Sequence, residues 1–359
     1  SLLGTDWYIN QLRYKVNKSD PMDPIWSAAQ IEGAKRDVIY YLERPGVDHN
    51  QYMNLYTMMK DYAGSDDPSK TEISRGGDTV NIYPTKKVFI PVDTALVRSN
   101  GTVNPEDSVL SEMRFEIPKN NLFKNDAAIL NLIASNQWKR PIYFTSEYRE
   151  LGFGAYLRQD GLTNRLVPVA NSPVNKTWVV DKMMNKFVFG NANVRGVYFD
   201  EENRRHLNSI RLAYAQAAAN LADNGKKEDA KKMLEKCDKG MLDENFSYGM
   251  VSRFQQHNYI SVQFLEACYK AGDTALAEKV SRSVKKDLEQ QITYYNSLDE
   301  SKQDQFRNDS EQAANFLRGI QQIEAMYKSL SPKAMEMPGA INNIPVTPPA
   351  TKKPDSPKK

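Results

Sequence analysis

Asn136-Gln-Trp-Lys-Arg-Pro-Ile-Tyr-Phe-Thr-Ser146 is the stretch on which the reading of this chain turns. Just before it, Ala127, Ile129, Leu130, Leu132 and Ile133 make a short apolar helical segment that should end near Asn136. Just after it, Pro141-Ile-Tyr-Phe-Thr is rich in β-branched and aromatic residues and predicts a strand. Pro141 cannot donate a backbone hydrogen bond, so it belongs at that strand's first residue. Trp138, Lys139 and Arg140 therefore stand on a helix-to-strand corner. An α/β domain displays recognition groups at such corners. The plainer reading is that Trp138 caps the core and both cations are merely solvated.

Working outward, 359 residues suit about two domains. Hydrophobic residues at 40% and charged residues at 26% allow a core of ordinary size. A net charge of +3 and the lack of a Lys/Arg stripe interleaved with aromatics argue against nucleic acid as a partner. No apolar run approaches the roughly 20 residues that span a bilayer. The opening Ser-Leu-Leu-Gly-Thr-Asp has neither the charged n-region nor the apolar h-region of a signal peptide. Leu2 and Leu3 look like the end of a strand, so the expectation is a piece of a longer protein.

Thr5-Asp-Trp-Tyr-Ile-Asn-Gln-Leu-Arg-Tyr predicts a helix, with Thr5 or Asp6 as N-cap and Ile9, Leu12 and Val16 as its stripe. Asp6, Trp7 and Tyr8 then sit at a strand-to-helix turn that could meet a polar ligand. The alternative is that Asp6 caps the helix and Trp7 packs. Asp20-Pro-Met-Asp-Pro24 breaks the chain. Ile31 to Leu42 suits a short helix or strand, residues 51–60 a helix, and Tyr62 to Asp78 a loop. Strands are predicted at 80–84, 87–93 and 113–118. A short helix ended by Gly161, a strand from Arg165 and a strand-like Val197-Tyr-Phe follow. The alternation over 126–169 reads as α/β.

At Glu201 the period changes to 3.6 residues and strands cease. Leu207, Ile210, Tyr214, Ala217, Ala218 and Leu221 share one helical face. Further stripes run through Ala230 to Cys237, Ile260 to Cys268, Leu276 to Leu288 and Phe316 to Leu330. Leu221-Ala-Asp-Asn-Gly-Lys-Lys-Glu-Asp-Ala230 aligns with Cys268-Tyr-Lys-Ala-Gly-Asp-Thr-Ala-Leu-Ala277. Each has Gly at a turn and Ala five residues later, like the turn of a tetratricopeptide helical hairpin. The fold class expected is an α+β or α/β domain over 1–199, then an all-α, tetratricopeptide-like hairpin domain over 200–335. A disordered Pro/Lys-rich tail over 336–359 completes the chain.

No catalytic constellation is present: there is no G-x-S-x-G, H-E-x-x-H or phosphate-binding glycine loop. His49, His206 and His257 are scattered, so neither a metal nor a cofactor is expected. Cys237 and Cys268 both fall on apolar helical faces and read as buried thiols. Trp7, Tyr8, Trp138, Tyr143, Tyr148, Phe153 and Tyr156 concentrate in the first half. Such rings suit sugars or peptides, and core packing explains them equally well. The ligand-binding candidates are Asp6, Trp7, Tyr8, Trp138, Lys139, Arg140 and Tyr143.

Leu2-Leu-Gly-Thr-Asp-Trp-Tyr-Ile-Asn-Gln-Leu, Asn136-Gln-Trp-Lys-Arg-Pro-Ile-Tyr-Phe and Gly161-Leu-Thr-Asn-Arg-Leu-Val-Pro-Val resemble the signatures of large multi-pass membrane proteins common in Bacteroidetes. Lys182-Met-Met-Asn-Lys-Phe and Val197-Tyr-Phe-Asp-Glu-Glu-Asn-Arg-Arg fit the same pattern, and the likeness spans roughly residues 1–240. That family is similar to the protein O-mannosyltransferase-like glycosyltransferases of the GT-C class. The resemblance implies a soluble, periplasm-facing region of an inner-membrane protein, with the transmembrane region of the same polypeptide as its partner. It places the catalytic carboxylate in that membrane portion and leaves this region to assist binding of an acceptor protein or glycan. The competing readings are a helical-repeat scaffold of the cell envelope and a free-standing enzyme.

Overall fold

Residues 2–15, 20–34, 36–74 and 76–329 are described in the computed structural model. Val16 and Leu330 of the expected stripes, and the tail over 336–359, lie outside them. The chain opens with α1 (Asp6–Gln11) and α2 (Ala28–Ile31), followed by β1 (Val38–Tyr41) and β2 (Met53–Asn54). The helix expected over 51–60 begins only after β2, as α3 (Leu55–Met58), with the Asn54 side chain capping Tyr56 N–H. Strands β3 (Thr71–Ile73), β4 (Thr79–Tyr83) and β5 (Lys87–Pro91) lead to α4 (Thr94–Ser99), β6 (Glu112–Glu116) and β7 (Asn121–Phe123). Helix α5 (Lys124–Asn136) ends at the corner, and β8 (Tyr143–Phe144) follows it.

The strands form three small sheets, two mixed and one antiparallel, rather than one doubly wound sheet. β1 runs parallel to β4 and antiparallel to β7, and β5 runs parallel to β2 and antiparallel to β6. The α/β reading of 126–169 is corrected here. No helix closes at Gly161; instead β9 (Leu157–Asp160) and β10 (Thr163–Leu166) pair antiparallel, and β8 pairs with β10. The two-residue link Gly161-Leu162 forces this, because a parallel pair needs a crossover of a dozen residues or more. Gly161 is left-handed at φ +69°, and a Cβ there would lie 2.6 Å from the Trp178 ring. Both features explain why only glycine serves.

Helix α6 (Lys176–Asn185) begins the second half, and the strand-like Val197-Tyr-Phe forms no strand among the described residues. Helices α7 (Glu201–Asp223), α8 (Lys227–Gly240), α9 (Gln256–Ala271), α10 (Thr274–Asn296), α11 (Glu300–Gln305) and α12 (Arg307–Ser329) follow. No strand occurs among the described residues beyond Leu166. Gly225 and Gly272 both turn left-handed, at φ +78°, and Ala230 and Ala277 are fully buried beyond them. A larger side chain at either alanine would push the paired helices apart.

Two cores result. One gathers Ile39, Leu55, Val88, Met113, Leu130 and Trp138, and the other Tyr214, Leu234, Phe264, Val280, Leu288 and Ile320. Val169 packs in the first core and Val174 in the second. Val179, Met183, Ala192 and Phe199 pack with the helices. The two halves also touch through polar contacts: Asn104 Nδ2 donates to Asn175 Oδ1 (2.9 Å) and Thr177 Oγ1 to Glu106 Oε1 (3.0 Å).

Candidate functional site

Gln137 and Trp138 both adopt left-handed backbone, at φ +44° and +60°. Two successive non-glycine residues in that region are uncommon and need support from their surroundings. The support is visible. Trp138 is only 5% exposed, its indole Nε1 donates to the Pro91 carbonyl (2.9 Å), and Asn100 Nδ2 donates to the Trp138 carbonyl (2.6 Å). Its ring is thus occupied by the core, and the stacking face expected for a sugar is covered. The sharp reversal throws Lys139 to one side of the corner and Arg140 to the other.

On the Arg140 side, a cleft of about 420 Å³ opens between α1 and the corner. Tyr8, Gln11, Tyr14, Met22, Arg140 and Ile142 line it. The two sequence-distant motifs, 5–14 and 136–146, therefore do meet. Arg140 donates to the carbonyls of Asp20 (2.9 Å) and Pro21 (3.2 Å) and contacts Met22 Sδ, so it clasps the segment after α1. Tyr8 and Gln11 present aromatic, hydroxyl and amide groups to the cleft, a mixture that suits polar ligands with apolar faces.

Asp6 stands apart from this cleft. It pairs with Lys124 Nζ (2.5 Å) and accepts from Gly33 N–H (2.6 Å). The Lys124 hydrogen bond holds its carboxyl below the usual range. Lys124 also bonds Asp37 (3.0 Å), so Asp6 helps tie α1 to α5. Trp7 is 56% exposed and T-stacks on Tyr8 at 5.7 Å. Tyr143 is half-exposed and lies over the Arg165 guanidinium at 5.1 Å.

On the Lys139 side, a second cleft of about 550 Å³ runs past Asn54, Thr57, Asp93 and Gln137. Trp138 belongs to this wall, not to that of Arg140.

Three polar clusters escaped sequence reading. Asp126 is buried and takes Lys119 Nζ (2.9 Å), Tyr148 OH (3.0 Å) and Phe123 N–H (3.2 Å). On the β9–β10 hairpin, Arg158 bonds Asp107 (2.6 Å), and Arg165 pairs with Asp160. Arg158 and Arg165 sit directly opposite in register, all but buried. Arg211 is buried among the helices with no carboxylate. It donates to the Phe246 (2.8 Å) and Ser247 (3.1 Å) carbonyls and lies between the Phe246 and Tyr248 rings, each at 4.3 Å. Each includes at least one partner more than 20 positions away, beyond what local spacing can flag. Among the described residues, no group of three or more His, Cys, Asp or Glu is placed to hold a metal. No helix among them is long and apolar enough to cross a membrane.

Comparison with known proteins adds one finding. The family model described as TMEM260-associated domain 2 matches residues 1–185, just over half of the chain. No curated protein and no solved structure matches it. The match covers both motifs that border the Arg140 cleft, the 158–165 hairpin and all of α6. TMEM260 is a protein O-mannosyltransferase-like membrane protein, and the matched domain is that of a membrane glycosyltransferase-like protein. This chain therefore belongs to the TMEM260-associated domain 2 family.

Proposed function

We propose that this chain is an extracytoplasmic, non-catalytic C-terminal region of a membrane glycosyltransferase-like protein of the GT-C class. In this reading it faces the periplasm of a Bacteroidetes-type envelope, docks on the transmembrane region of its own polypeptide and helps hold an acceptor protein or glycan. The carboxylate that acts on the donor sugar lies upstream, in the membrane portion. The observation that carries the proposal is the Arg140 cleft, where the two motifs that resemble the family converge with Tyr8, Gln11 and Tyr14 open to solvent-filled space. A wall of tyrosine and amide side chains matches hydroxyl-rich or peptide ligands. The helical half, with its glycine turns, is read as a short tetratricopeptide-like array.

The test is glycosyl transfer by the full-length membrane protein carrying Tyr8→Ala or Gln11→Ala. Both variants should melt like the parent and transfer more slowly. Normal melting with unchanged transfer would remove the cleft from the acceptor path. A second reading, a helical scaffold of the envelope with no role in transfer, draws on one feature. Phe254, left-handed at φ +53° and 61% exposed, projects with Val251 from the turn before α9. An exposed aromatic on strained backbone suits a protein contact.

A further inference from the structure

The cleft on the Lys139 side is a site of its own, and the acceptor reading does not use it. It opens where β2 and β5, which run parallel (Met53↔Val88, Asn54↔Phe89), both end. Its volume, about 550 Å³, falls in the range of small-molecule sites. The floor is apolar and held in place: Trp138 is locked to Pro91 and flanked by Ile90 and Leu96.

The rim carries the chemistry. Asp93 spends Oδ1 on the N–H groups of Ala95 and Leu96 (3.0 Å each), which leaves Oδ2 without a partner among the described residues. Thr57 and Gln137, both exposed, line the same cleft. Lys139 is exposed, and its ammonium has no anion among the described residues. Asp93 is the one carboxylate in the lining, too few for a divalent cation. The Trp138 ring is buried, and Tyr56, the other ring in the lining, is half-buried.

We infer that this cleft binds an acidic saccharide. Sugar hydroxyls donate to Asp93 Oδ2 and exchange hydrogen bonds with Thr57 and Gln137. The ring's C–H face rests on the Pro91–Leu96 floor, and an acidic substituent meets Lys139.

Saturation-transfer NMR on the full chain, with glucuronate, glucose and inorganic phosphate as probes, tests this. Glucuronate should bind about fivefold more tightly than glucose, which is what an exposed ion pair contributes. Lys139→Gln should bring glucuronate down to the level of glucose and leave glucose unchanged. Asp93→Asn keeps an oxygen for capping and should weaken both sugars; phosphate alone should not bind. Absence of glucuronate binding, equal binding of the two sugars, or a Lys139→Gln protein with undiminished preference overturns the inference. Lys139 is exposed and unpaired, so Lys139→Gln reads binding without a folding penalty. None of these outcomes depends on transfer by the membrane protein, so the acceptor proposal stands or falls separately.

Discussion

Replacing Trp138 by alanine discriminates between a corner that is built into the core and one that is merely displayed. The indole is 5% exposed and donates to Pro91. Truncating a buried tryptophan to alanine costs about 3–5 kcal/mol, as lost transfer energy plus the cavity left behind. For a unit of this size each kcal/mol lowers Tm by about 2–4 °C, so the expected drop is about 10 °C. Trp138→Phe retains most of the apolar volume and loses the hydrogen bond; Pro91 lies at an exposed position, where water can replace the donor. That variant should cost only about 1 kcal/mol beyond its small cavity. Trp7, which is 56% exposed, provides the control: Trp7→Ala should stay within about 0.5 kcal/mol of the parent. Urea titration followed by far-UV circular dichroism gives all three values. A Trp138→Ala protein within 1 kcal/mol of the parent would refute the packing argument, and with it the explanation of the two left-handed residues.

Other outcomes follow from single contacts. Arg140→Ala should lower stability by about 1–2 kcal/mol, since it removes half-exposed bonds to two carbonyls rather than a buried ion pair; an unchanged Tm would show that the clasp on Asp20 and Pro21 is idle. Burial, and then the Arg211 charge, push the His257 pKa down to about 4. The unfolded chain therefore binds the proton first, so stability is fully present above pH 6.5 and declines as pH falls toward 4, by up to about 3 kcal/mol. His257→Gln should flatten that part of the pH–stability curve, and an equally steep curve would rule His257 out as its source. Burial raises the Cys237 thiol to about 12 and Cys268 well above its ordinary value. The native protein should thus resist thiol reagents at pH 8, and the denatured, unreduced chain should titrate two thiols; fewer than two would reveal a disulfide.

Local pattern was enough for much of this molecule. The change of period at Glu201 forecast the helical half, because a 3.6-residue stripe is a property of adjacent residues. Leu207, Tyr214, Ala217, Ala218 and Leu221 are all buried on α7. The ends of α5 and the corner at 137–140 were likewise legible from an apolar stripe running into Lys-Arg-Pro. Sequence failed where pairing partners decide the outcome. Residues 150–161 look helical by composition, yet Leu157 to Asp160 become a strand because Thr163 to Leu166 fold back onto them. Nor does local pattern show that α6 finds its apolar partners among the helices. The candidate site divided for the same reason. Asp6 and Arg140 look like ligand groups in one dimension. In three, Asp6 answers Lys124, 118 positions away, Arg140 clasps the carbonyls at 20 and 21, and Trp138 fills the core. A side chain's charge and shape are written in the sequence, whereas its availability depends on what the fold has already set against it.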